Sequence, residues 1–131
     1  MTVRSSQTYD NLLLLKDAGA VTASGAATVA AQARVLDLGL GRFEARAIID
    51  ASAVDTADAN ETYRVAIQGS NDPAFGSGVV ELGATTVTGA GRSEARFTSQ
   101  PNDVIYRYVR AFLTLTGTTP SINSVIYLVK N

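Results

Sequence analysis

The clearest pattern along the chain is an alternation of apolar and polar residues, which is typical of β-strands with one buried face. In "RFEARAIID" (42–50) the odd-numbered residues are apolar and the even-numbered ones are mainly charged. "ETYRVAIQ" (61–68) alternates in the same way, with Tyr63, Val65 and Ile67 on one face. Parity therefore predicts which side chains face a core. In the first segment these are Phe43, Ala45, Ala47 and Ile49.

Similar short runs continue to the C-terminus, and each ends at Gly, Asn, Asp or Pro. The run 104–117 is the longest and most apolar, so we predict that it lies in the middle of a sheet, whereas 51–60 is predicted to be a polar loop. This spacing indicates an all-β fold, a jelly-roll-like β-sandwich of about eight strands. The predicted strands are 33–38, 42–50, 61–68, 78–82, 85–89, 92–99, 104–117 and 124–130, with one more near 20–23.

The N-terminal segment differs from the rest. Residues 1–17, "MTVRSSQTYDNLLLLKD", contain four consecutive leucines that fit either one helical turn or a short strand. We predict an N-terminal arm over 1–17 and a single β-sandwich domain over 18–131.

Composition narrows the possible functions. The chain has 131 residues, 46 % of them hydrophobic, which suits one domain with its own core. It has no Cys, His or Trp, which removes disulfides, thiolate metal sites and the usual general base. The net charge of −1 speaks against nucleic-acid and anionic-membrane partners. No apolar run is long enough for a membrane span or a signal segment, so we expect synthesis in a reducing cytosol.

The stretch "QGSNDPAFGSGVV" (68–80) is either a ligand-binding loop or the turn that ends a strand. Pro73 fixes a turn dihedral, and Asn71 and Asp72 are residues whose side chains bond their own backbone. We favour the turn, and we predict that Phe75 folds back to cap the end of the core.

Two segments of the chain resemble each other. "GLGRFEARA" (39–47) and "GAGRSEARF" (89–97) match at six of nine positions. Each carries Arg, Glu and Arg on one face of a predicted strand, either exposed to solvent or contacting a partner through ion pairs. We call this set the charged ladder. Its members are Arg42, Glu44, Arg46, Arg92, Glu94 and Arg96.

The sequence evidence for a nucleotide-binding, calcium-binding or catalytic site is weaker. "GLGRFE" lacks the third glycine of a dinucleotide fingerprint and lies between strands, so it is rejected. Oxygen ligands for Ca²⁺ could come from 51–61, although the pattern of a calcium-binding loop is incomplete. Asp72 and Asp103 are conceivable as a glycosidase pair. The possible calcium ligands are Asp55, Asp58, Asn60 and Glu61.

Aromatic residues share a parity in the last long predicted strand. Tyr106, Tyr108 and Phe112 would lie on one face with Arg110 between the last two, a combination that can form a platform for a sugar or nucleotide. One half of such a row is more often core.

Several segments, taken in order, resemble the small jelly-roll cement, or decoration, proteins of tailed-bacteriophage capsids, of the Bordetella podophage type. No single motif is specific, but the ordered set spans nearly the whole chain. The charged ladder is not a feature expected of that family. The matching segments are "LLLLKDAGAVTASGAATV" (12–29), "RVLDLG" (34–39), "YRVAIQGSNDPAF" (63–75), "IYRYVRAFLTLTGTTP" (105–120) and "SVIYLV" (124–129).

The resemblance implies a structural virion protein with no catalytic site, cofactor or metal. It would be made in the host cytoplasm and would bind the outer capsid surface between major capsid protein subunits, stabilising the expanded head as a homo-dimer or homo-trimer. No nucleic acid or membrane partner is implied. The residues we expect to make contacts are the charged ladder and, in the arm, Arg4, Tyr9, Leu12 and Leu14.

An alternative is a non-catalytic carbohydrate-binding module, because "IQGSNDPAF" is also similar to the strand and turn of discoidin-like sandwiches. The absence of tryptophan and of an export signal counts against it. A small sandwich enzyme using a carboxylate pair is the least favoured.

Overall fold

The computed structural model describes residues 13–130, and the regular elements in this range are twelve β-strands. Most of the long strands coincide with the alternating segments of the sequence. The strands are β1 (Leu14–Lys16), β2 (Ala20–Val21), β3 (Gly25–Ala26), β4 (Thr28–Val29), β5 (Gln32–Ala33), β6 (Leu36–Asp37), β7 (Glu44–Val54), β8 (Thr62–Ser70), β9 (Val80–Val87), β10 (Gly91–Thr98), β11 (Tyr108–Thr116) and β12 (Ile122–Lys130).

The strands form two antiparallel sheets that pack face to face. The first sheet has the order β1-β12-β7-β10, with β2 also paired to β12. The second has the order β3-β11-β8-β9, with β6 also paired to β11, and β4 and β5 form a separate hairpin. Along the chain, the eight strands on the two main paths change sheet at every step except from β8 to β9, which is the order of a jelly roll. The predicted fold class is therefore confirmed, with four two-residue strands added to it.

The core lies between the sheets and is built by the predicted parity. Ala47 and Ile49 of β7, Val65 and Ile67 of β8 and Leu113 of β11 are all buried in one cluster. Fully burying a Val, Leu or Ile side chain stabilises the fold by about 1.5–3 kcal/mol. Both predicted faces, the odd positions of 42–50 and those of 61–68, are confirmed.

Several strand boundaries differ from the prediction, among them those of 33–38, where β6 covers only Leu36–Asp37, and of 104–117, where β11 begins at Tyr108. β7 continues to Val54, where a polar loop was predicted from 51, because Ala51, Ala53 and Val54 pair with β12. β9 is one strand where two short ones were predicted. Gly83 lies in its middle because a Cβ at that position would collide with the Arg96 carbonyl oxygen of β10. This glycine marks a close approach of two strands, not a turn.

The end of the predicted arm belongs to the first sheet. Leu15 is fully buried in the main core, and β1 pairs with β12. The buried Lys16 ammonium donates hydrogen bonds to the carbonyls of Asp17, Gly19 and Ser124. Burial lowers the pKa of Lys16, and the nearby Asp17 carboxylate partly opposes that change.

Three loops meet at one end of the sandwich, which we call the loop end. They are 38–43, 71–79 and 99–107, and hydrogen bonds join them. Leu38 N donates to Arg107 O at 2.8 Å, and Asn71 Nδ2 donates to Ile105 O at 2.9 Å. In residues 13–130 no helix has the length and apolarity needed to cross a membrane.

Candidate functional site

The charged ladder lies on the outer face of the first sheet, where its two segments are neighbouring antiparallel strands. In the register of β7 and β10, Arg46 is opposite Arg96 and Ile48 is opposite Glu94. Antiparallel pairing of two Arg-x-Glu-x-Arg segments places each glutamate diagonally across from an arginine of the other strand. The similarity of the two segments therefore produces ion pairs between neighbouring strands.

The ion pairs of the ladder are exposed. Arg46 Nη1 donates to Glu94 Oε2 at 3.3 Å, and Arg96 Nε lies 3.8 Å from Glu94 Oε1. Arg42 pairs with Glu44 of its own segment. Surface pairs of this kind contribute only about 0.2–1 kcal/mol each, so stability alone does not account for the ladder.

The six ladder residues are not equivalent. Arg92 lies at the opposite end of β10 from Arg96, across from Asp50 in the register, and forms no ion pair with a residue in 13–130. Arg96 is the most exposed of the paired members, with 76 % of its side chain accessible. Of the four ladder arginines, Arg92 and Arg96 therefore have the weakest ion pairing with residues 13–130.

The other half of the same outer face is apolar and covered. Ile48, Tyr127 and Leu14 form a small buried cluster against which Val29 of the β4–β5 hairpin packs. Leu14, expected as an arm contact, is thus an internal packing residue in β1. Arg4, Tyr9 and Leu12, the other expected arm contacts, lie outside the described residues.

A shallow depression lies where the ladder meets the open corner between β9 and β10. Its volume is about 370 Å³. The sequence pattern does not predict the depression, because only the approach of β9 to β10 at Gly83 brings Leu82 of the second sheet to the ladder. The lining residues are Arg42, Glu44, Leu82, Arg96, Phe97 and Thr98.

The loop 71–79 is organised by its own side chains. Asp72 accepts hydrogen bonds from Ala74 N at 3.0 Å and Gly76 N at 2.9 Å, and Ser70 Oγ donates to Ser77 O at 2.8 Å. Asp72 is therefore a turn-forming residue, as its turn chemistry predicted. Both of its carboxylate oxygens are occupied within the loop, which does not suit a glycosidase pair with Asp103.

Phe75 folds back, but not onto the end of the core as predicted. Its ring lies over the guanidinium of Arg110, 4.4 Å from Cζ, on the outer face of the second sheet. Arg110 also lies 5.7 Å from the centroid of Phe112 and donates from Nε to Gln68 Oε1 at 2.9 Å. An arginine held between two aromatic rings stabilises this face by a cation–π interaction.

The predicted aromatic platform is only partly assembled. Tyr106 lies in the loop 99–107, because β11 begins at Tyr108. Tyr108 and Phe112 do share the outer face with Arg110 between them, but the guanidinium contacts the rings of Phe112 and Phe75 itself.

The acidic loop 55–61 is held by internal hydrogen bonds. Asp55 Oδ1 accepts from Ala57 N at 2.9 Å, and Glu61 Oε2 accepts from Asp58 N at 3.3 Å. A hydrogen bond with the Glu61 carboxyl is the main cause of a raised pKa at Asp58. Among the described residues, no group of three or more His, Cys, Asp or Glu side chains is placed to hold a metal ion.

Two further ion pairs fix the second sheet. Arg64 binds Glu81 through two hydrogen bonds of 2.8 and 2.7 Å, and Arg107 binds Asp37 through two of 2.7 and 2.8 Å. The Arg107 guanidinium, helped by Gly39 N, lowers the pKa of Asp37 to about 2. Both arginines use the two-point geometry that this side chain favours.

Comparison of the chain with protein-family models finds no match, and comparison with curated proteins finds none either.

Proposed function

We propose that this protein is a structural component of a tailed-bacteriophage virion, which binds the outer surface of the capsid between major capsid protein subunits. In this role it stabilises the expanded head and acts as a homo-dimer or homo-trimer. It needs no cofactor and catalyses no reaction.

The observation that carries the proposal is the correspondence between the family-like segments and the strands of the jelly roll. Segment 34–39 contains β6, and 63–75 contains most of β8 and the turn after it. Segment 105–120 contains β11, and 124–129 lies in β12. Each of these four segments thus coincides with a strand, while β7, β9 and β10 lie outside the matching segments. A fold alone does not imply a function, so the order of the segments is what supports the proposal.

The chemistry of the surface is compatible with this role. A small domain offers only a modest interface, but many copies on one shell, linked to each other, gain avidity without strong individual contacts. Exposed arginines suit such contacts because a guanidinium binds carboxylates through two hydrogen bonds.

The test is co-sedimentation of the purified protein with expanded heads that lack it, from the phage or prophage that encodes it. We expect saturable binding at a fixed ratio to coat subunits. Absence of binding under salt conditions that keep heads intact would contradict the proposal. Binding to a glycan array in that case would support the alternative, a carbohydrate-binding module.

The same assay tests the arm. Removing residues 1–12 leaves β1 in place, whereas removing 1–16 would also delete a strand of the first sheet. We expect the shorter deletion to weaken binding to heads without lowering the unfolding temperature. Unchanged binding would exclude a role of the arm in capsid contact.

A further inference from the structure

The loop end carries an unusual set of exposed side chains. In the described part of the chain, three large aliphatic side chains are exposed: Leu40 at 75 %, Val104 at 45 % and Val79 at 39 %. Single exposed apolar residues are normal on a protein surface. Here, however, each of the three lies on a different loop, and all three loops belong to the same end of the sandwich.

Each of these loops is held in a defined conformation. Leu40 lies between two glycines, and Gly39, with φ of +81°, adopts a left-handed conformation that favours glycine. Gly39 N donates to Asp37 Oδ1 at 2.9 Å, and Arg107 holds the same carboxylate. Val104 N donates to Asn102 Oδ1 at 2.9 Å. The aliphatic side chains are thus presented by ordered turns, which lowers the entropic cost of binding.

Near the loop end, several carboxylates are paired within the molecule, whereas one arginine is only weakly paired. The Asp37, Glu44 and Asp72 carboxylates are occupied by Arg107, by Arg42 and by loop amides respectively. Arg96, by contrast, is 76 % exposed and its only ion pair in residues 13–130 is 3.8 Å long. Asp103, next to Val104, is exposed and forms no ion pair with a residue in 13–130. The surface around the aliphatic side chains therefore offers one guanidinium and one carboxylate, and its complement is an apolar patch that has a carboxylate on the side of Arg96.

The depression adjoins this surface. Leu82 and Phe97 supply apolar lining, and Arg96 and Arg42 supply guanidinium groups beside it. In protein interfaces, the residues that contribute most of the binding energy commonly include arginines and side chains that fill apolar pockets. The depression, with arginines beside it, has both features.

From these observations we propose that the loop end is the surface that docks on the capsid. Leu40, Val79 and Val104 contact an apolar patch of the coat subunit, and Arg96 binds a carboxylate beside it. The depression receives an apolar side chain of that subunit. This inference rests on the proposed function and deepens it, because it assigns the capsid contact to one end of the molecule and not to the whole charged ladder.

The charged ladder offers a matched pair of variants for the test. Arg96→Glu and Arg92→Glu make the same change of charge on the same strand, but only Arg96 adjoins the depression. A double variant, Leu40→Ser with Val104→Ser, removes aliphatic contacts from two loops. Leu40→Met and Arg96→Lys are the conservative controls. All of these positions are exposed, so the far-UV spectrum and unfolding temperature should stay close to those of the wild type.

The measurement is the apparent affinity for expanded heads lacking the protein, by co-sedimentation. We expect the double serine variant and Arg96→Glu each to weaken binding about tenfold or more. Arg92→Glu should bind within about twofold of the wild type. Leu40→Met, which keeps an apolar contact, should weaken binding less than the double serine variant does, and Arg96→Lys should weaken it less than Arg96→Glu does.

The outcomes separate the two proposals. If the wild type binds heads but the loop-end variants bind equally well, or if Arg92→Glu is as damaging as Arg96→Glu, the loop-end inference is wrong and the proposed function stands. If the wild type does not bind heads at all, the proposed function is wrong and the inference is overturned with it.

Discussion

At the scale of single residues, Phe75 combines a buried ring with an unfavourable backbone conformation. Its φ is +54°, in the left-handed region that costs an ordinary residue about 1–2 kcal/mol, and the stack on Arg110 offsets that cost. Phe75→Ala should lower the free energy of unfolding by about 3 kcal/mol, the low end of the range for a buried Phe, because the ring packs on an outer face. Phe75→Gly should be less damaging by about 1 kcal/mol, because glycine relieves the strain.

The matched control is Phe112, which stacks on the same arginine from within β11. There the order should reverse, with Phe112→Gly less stable than Phe112→Ala, because glycine weakens a strand interior. Urea denaturation of the four variants gives the comparison. An alanine variant more stable than the glycine variant at position 75 would show that backbone strain is not stored there.

Asp37 makes stability depend on acid pH. Its pKa is about 2 in the folded protein because Arg107 and Gly39 N stabilise the carboxylate, below the ordinary value of 3.8. The unfolded chain therefore binds the proton first as pH falls, so this contribution is complete above about pH 4 and is lost as pH drops towards 2. Asp37→Asn and Arg107→Gln should both flatten the loss of stability between pH 4 and pH 2, measured by urea denaturation. A slope equal to that of the wild type would contradict the assignment.

At the scale of elements, sequence parity identified the long strands and their buried faces, but not how strands of different sheets approach each other. Alternation in 42–50 is a local property, so it survives folding. The prediction placed a break between two strands at Gly83, because nothing in the neighbouring sequence shows that the Arg96 carbonyl lies against this glycine. Phe75 was misplaced for a related reason, since its partner Arg110 is distant in sequence. The depression depends on the contact between Gly83 and Arg96, which is also long-range, so the sequence pattern did not predict it.

The close approach at Gly83 gives a prediction at this scale. Gly83→Ala places a methyl group against the Arg96 carbonyl, so β9 and β10 must separate. We expect a loss of about 2–3 kcal/mol in the free energy of unfolding, as for overpacking. Gly25→Ala in β3, where the added methyl group meets open space, should change stability by less than about 1 kcal/mol. Equal effects of the two substitutions would contradict the close packing of β9 on β10.

At the scale of the whole molecule, the central question is whether the charged ladder pairs with itself or with a partner. Arg46 lies opposite Arg96 and diagonal to Glu94, so like charges face each other across the strands. Exchanging the pair, Arg46→Glu with Glu94→Arg, would place a carboxylate opposite Arg96 while keeping the net charge. The unfolding free energy of the double variant should therefore equal or exceed that of the wild type, by up to about 1 kcal/mol.

Binding to heads separates the two roles of the ladder, because a partner responds to the position of each charge and not only to their sum. If docking uses the loop end, the exchanged variant should bind heads within about threefold of the wild type, since Arg96 and the exposed aliphatic side chains are retained. Arg46→Glu alone repels Glu94 but gains a carboxylate opposite Arg96, so its stability should stay within about 1 kcal/mol of the wild type, and it should weaken binding no more than the exchange does. Stability kept in the exchanged variant, with binding to heads lost, would instead show that the central ladder residues contact the coat subunit directly and that the docking surface extends beyond the loop end.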